Sequence, residues 1–64
     1  MGQQLERIYE VITQKAGLDA RMKFSERTGV SRKKAEKVSD SEELVQRFKK
    51  IASEMLGQNI DDFL

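Results

Sequence analysis

The 64 residues predict an all-α fold, a compact single domain over residues 1–64 built from four to five helices. Three observations predict it. Apolar residues recur at i, i+3, i+4 and i+7 through most of the chain, the period of a helix with one buried face. No stretch alternates with period two well enough to make a strand. Three interior glycines, Gly17, Gly29 and Gly57, each follow an apolar-periodic segment, where a helix end puts a residue with positive φ.

The first predicted helix covers about residues 3–16, with Leu5, Ile8, Tyr9, Ile12 and Ala16 on one face and Gly17 as its stop. Tyr9 belongs to that face, with its hydroxyl expected to reach water. The second covers about 20–28: Asp19 caps it, Ala20, Phe24 and Thr28 face inward, and Gly29 ends it. The third covers about 31–38, with Ser31 as its cap and Val30, Ala35 and Val38 on the buried side. The fourth, about 41–56, has the clearest stripe: Leu44, Val45, Phe48, Ile51, Ala52, Met55 and Leu56. Asp40 with Glu43 fits a variant capping box at its start, and Gly57 stops it. Ile60, Phe63 and Leu64 sit at helix-like spacing in a short last turn, 59–64, that Asn59 can cap.

Composition removes several classes of function. Without cysteine there is no disulfide or thiolate site, which suits a reducing compartment, and without histidine the commonest zinc ligand and general base are missing. No glycine-rich phosphate loop or activated serine appears, and so small a helical domain has little concavity for a small-molecule substrate. An enzyme, a cofactor and a bound metal are therefore not expected. The acidic pairs Glu42-Glu43 and Asp61-Asp62 read as helix-start or solvated charge. No apolar run nears the roughly 20 residues of a membrane span, and the first residues do not resemble a secretory signal. Glu6 stands where a myristoylation signal wants Ser or Thr. The expectation is a cytoplasmic protein, or equally a domain of a longer chain.

Net charge is +1, but it is unevenly spread. Residues 21–37 hold seven cations and two acids, a net +5, and the remainder holds five cations and nine acids, a net −4. Within this basic block, FSERTGVSRKKAEKV meets the physical needs of a helix-turn-helix at the second and third helices. Phe24 is the apolar contact, Ser25 the small residue at the close approach, Gly29 the left-handed turn, and Val30 the plug between helices. Ala35 and Val38 anchor the following helix. Ser31, Arg32, Lys33, Lys34, Glu36 and Lys37 are then the candidate nucleic-acid-binding residues, a mostly cationic set beside a helix N-terminus.

This stretch resembles the helix-turn-helix of bacterial and phage repressors, in which an apolar residue, a small residue and three variable ones precede Gly-Val-Ser. IASEMLGQNIDDFL is similar to the last helix and tail of the Cro and phage-repressor class, so the resemblance covers roughly residues 18–64. It implies that Ser31, Arg32, Lys33, Glu36 and Lys37 face the DNA major groove. Ser25 stands where alanine is usual and Thr28 where an apolar residue is commoner. VSDSEE lacks the Gly- and Pro-containing loop of that class. No Asn or Gln is present on this face to read adenine, so backbone contact through Lys33, Arg32 and Lys37 is expected, with Arg32 the candidate for a guanine edge. Double-stranded DNA is the expected partner.

The alternative is a helical protein-protein interaction or dimerisation module with no nucleic-acid role. Val11 beside the first stripe, Met22 off the inner face, and Ile60, Phe63 and Leu64 beyond the last long helix are its candidate interface residues. A homodimer suits both readings, because helix-turn-helix proteins commonly bind paired half-sites.

Overall fold

The structure, a computed structural model, describes residues 3–38 and 40–64. Met1 and Gly2, where a lipidation signal was weighed, lie outside the described residues, as does Ser39. Among those described, three α-helices and a closing 3-10 turn account for all the regular structure, and there is no strand. The helices are α1 (Gln3–Thr28), α2 (Arg32–Lys37) and α3 (Glu42–Leu56), and the turn is Ile60–Phe63.

The helix count is lower than the four to five that the sequence predicts, because the first two predicted helices form one element. Gly17 interrupts α1 with φ 87 and ψ −179, and helical backbone resumes on its far side. A single non-helical residue makes the change of direction, so α1 consists of two helical arms that meet at Gly17 without a linker. A straight helix of 26 residues would run about 39 Å. The molecule measures 26 × 21 × 17 Å, so α1 must bend to fit. The bend lets both arms feed one core: Leu5, Ile8, Tyr9, Val11 and Ile12 from residues 3–16, and Phe24 and Thr28 from residues 18–28.

Gly29, at φ 74, closes α1, and its N–H donates to Ser25 O at 2.9 Å. Ser31 caps α2, its Oγ accepting from Lys34 N at 3.2 Å. At α3 the structure corrects the sequence reading. Ser41 is the cap, with its Oγ accepting from Leu44 N at 3.2 Å, and Asp40 is directed elsewhere. Asp40 Oδ2 accepts from Gln4 N at 3.2 Å, which satisfies a free donor at the start of α1. Gly57, left-handed at φ 69, ends α3. Asn59 Oδ1 then accepts from Asp61 N to start the closing turn.

One ring from each arm of α1 and one from α3 meet at the centre. Tyr9 and Phe24 stack edge to face at 5.0 Å, as do Phe24 and Phe48 at 5.0 Å and Tyr9 and Phe48 at 5.8 Å. All three side chains are fully buried. Pairs of this kind contribute about 0.5–1.5 kcal/mol beyond area burial. The Tyr9 hydroxyl does not reach water as expected: it donates to Val30 O, pinning the segment between α1 and α2 to the core.

Candidate nucleic-acid interface

The segment Gly29–Ser31 sets how α2 leaves α1. Thr28 is buried at the end of α1 and uses its hydroxyl twice. Thr28 Oγ1 donates to Phe24 O at 2.8 Å and accepts from Val30 N at 3.3 Å. This double use explains why a polar residue is tolerated there: an apolar one would leave Val30 N without that partner. With Tyr9 on Val30 O and Thr28 on Val30 N, both backbone groups of the central turn residue are held. Of the residues expected to set the motif, Phe24 and Ala35 are fully buried, and Ser25, Val30 and Val38 are half-buried.

Ala35 is the one buried residue of α2, so the rest of that helix faces outward. Lys33, Lys34 and Lys37 are exposed and make no ion pair among the described residues. Arg32 and Glu36, both expected to face outward, are paired with one another. Arg32 Nη1 pairs with Glu36 Oε1 one turn along, and with Glu6 Oε1 of α1 at 3.5 Å. Opposite charges at i and i+4 share one face of a helix, which accounts for the first pair. Glu6 comes from the far end of the sequence motif's partner helix and has no local signal. Surface pairs of this kind contribute about 0–1 kcal/mol, so they bias Arg32 away from a ligand without locking it.

Beside this face a groove of about 390 Å³ runs between the second arm of α1 and the start of α2. Arg21, Met22, Ser25 and Glu26 line it on one side, and Ser31 and Lys33 on the other. Arg21 had been counted only as one charge of the basic block. Its place at the groove follows from the fold, which sets it across from Lys33.

The residues expected at a protein interface divide differently. Val11 and Ile60 are core residues, at 6% and 0% exposure, and are not available to a partner. The closing turn packs back on α3 and meets the first arm at Phe63, which places Ile60 in the core. Ser53 Oγ accepts from Ile60 N at 3.0 Å, Lys49 pairs with Asp61 at 3.0 Å, and Lys15 Nζ lies 4.9 Å from the centre of the Phe63 ring. Phe63 is thereby half-buried against the core, while Leu64 stays exposed. Met22, at 62%, is exposed as the sequence suggested, and Leu18, at 59%, joins it without having been singled out.

Among the described residues, no three His, Cys, Asp or Glu side chains gather to hold a metal, and no helix is long and apolar enough to cross a membrane. No family model matches this chain, and no curated protein or solved structure matches it.

Proposed function

We propose that this chain is a DNA-binding domain of helix-turn-helix type that grips the phosphate backbone through α2. The observation that carries the reading is the exposure of Lys33, Lys34 and Lys37 on one short helix, with no acid paired to any of them among the described residues. Support comes also from the turn, whose Val30 is held at both backbone groups, so that α2 is presented at a fixed attitude. The likeness of FSERTGVSRKKAEKV to repressor motifs points the same way. Arg32, committed to Glu6 and Glu36, is a weaker candidate for a guanine edge than its sequence position suggests. Contacts from lysine alone carry affinity rather than base discrimination.

The test is titration of a generic short duplex at several salt concentrations. Three lysines neutralising phosphate give a log–log slope of about −2.7, and recruitment of Arg32 steepens it to about −3.6. Replacing Lys33 and Lys37 with Glu is expected to abolish binding while far-ultraviolet dichroism is unchanged. Failure to bind at low salt would remove the proposal. A second reading, a helical protein-interaction module, is favoured by the exposure of Leu18 and Met22 rather than by Val11 or Ile60.

A further inference from the structure

Three large apolar side chains stand exposed among the described residues, and two of them, Leu18 and Met22, lie one turn apart on the second arm of α1. The stripe they begin continues through the half-buried Ser25, a spacing of four and three residues, to the last turn of α1. That is the a/d spacing with which one helix packs along another. The groove of about 390 Å³ opens over this stripe, since Met22 and Ser25 line it and the small Ser25 leaves it unfilled.

The flanks carry charge. Arg21 lies on one side of the stripe and Glu26 on the other, and neither makes an ion pair within the chain among the described residues. They are five residues apart. In two parallel helices sharing such a stripe, a flanking residue of one meets the residue five positions on in the other, which is how e and g positions set orientation. Two-fold symmetry makes the match reciprocal. An antiparallel pair on the same stripe would set each flank against itself, and Arg21 would face Arg21.

We infer that the second arm of α1 is a self-association face. Two copies of this chain pair their arms in parallel, Leu18 and Met22 packing on their counterparts and Arg21 meeting Glu26 of the second copy on both sides. The occupant of the groove is the Met22 side chain of that second copy. The arm, residues 18–28, is about 16 Å long. Its contact falls short of the roughly 1,200 Å² of a standard interface, so the association is weak. The inference does not rest on the nucleic-acid reading, because Leu18, Met22, Arg21 and Glu26 all lie on α1 and Ser31, Arg32 and Lys33 only wall the groove.

Sedimentation equilibrium from about 10 μM to about 1 mM detects association of this weak kind. A monomer–dimer equilibrium is expected, weakened at least about tenfold by Met22→Glu, a substitution at an exposed site whose folding is checked by dichroism. Arg21→Glu weakens it too, and combining Arg21→Glu with Glu26→Arg restores it. Leu18→Cys under mild oxidation gives a disulfide-linked dimer, because parallel pairing brings the two positions together. A monomer throughout the range overturns the inference. So does a dimer indifferent to Met22→Glu, or one in which the charge swap fails to rescue and Leu18→Cys fails to link.

Discussion

Replacing Gly17 tests the bend in α1 by the sign of its effect. At φ 87 and ψ −179 the residue occupies backbone space that is essentially confined to glycine. A Cβ built there meets no heavy atom within 4 Å, so the cost of a side chain is conformational rather than a clash. For Gly17→Ala the strain is about 1–3 kcal/mol, offset by about 0.4–1 kcal/mol of reduced entropy in the unfolded chain. The expected net loss is roughly 0–2.6 kcal/mol, with the thermal midpoint falling about 4–8 °C per kcal/mol. D-alanine at the same position inverts both dihedral signs and finds an ordinary extended basin. It keeps the entropic gain without the strain, so the D-alanine chain is expected to be more stable than the L-alanine chain by about 1–3 kcal/mol. A chain of this length is accessible to total synthesis, and thermal and urea melts of the three versions measure both shifts. Were α1 straight through residue 17, Gly17→Ala would stabilise by about 0.5–1 kcal/mol and D-alanine would destabilise. That reversal would refute the bend.

Two further perturbations bear on the core and the turn. Tyr9→Phe keeps the ring and removes the hydrogen bond to Val30 O, so a loss of about 1 kcal/mol is expected in chemical denaturation. Hydrogen exchange of residues 29–31 should rise with it, and an unchanged rate there would argue against the pin. Phe48→Ala removes one ring of the central trio and costs about 3–5 kcal/mol. Against about 3–10 kcal/mol for a chain of this size, that is roughly a third or more of the stability, and the urea midpoint read by near-ultraviolet dichroism is expected to fall accordingly.

Much of the fold was legible because its signals are local. The apolar stripe of α3, the cap at Ser31 and the positive φ of Gly17, Gly29 and Gly57 each follow from a few adjacent residues. What was misread depends on parts of the chain far apart in sequence. A glycine after a periodic segment announces positive φ but does not say whether the helix stops or bends, and at Gly17 the need to fit a compact core decides for bending. Val11 lies off its helix's main stripe, and its burial comes from tertiary packing into the core cluster rather than from helical spacing. Asp40 and Ser41 are both good caps, and which serves α3 depends on the nearness of Gln4 to Asp40. The candidate site shows the same division. The lysines of α2 are read from their spacing around Ala35, whereas the engagement of Arg32 by Glu6 and the exposure of Leu18 come from tertiary placement.

The meeting of Tyr9, Phe24 and Phe48 has a spectroscopic consequence. The sequence holds one tyrosine and no tryptophan. Its single strong near-ultraviolet chromophore therefore sits where three separate stretches of chain converge, and its phenol is hydrogen-bonded to the turn that carries α2. Tyrosine absorption and fluorescence thus monitor the docking of both arms of α1 with α3, together with the setting of the turn, without any added label. A ligand that shifts α2 would be visible through the same phenol, although no part of that ligand touches it.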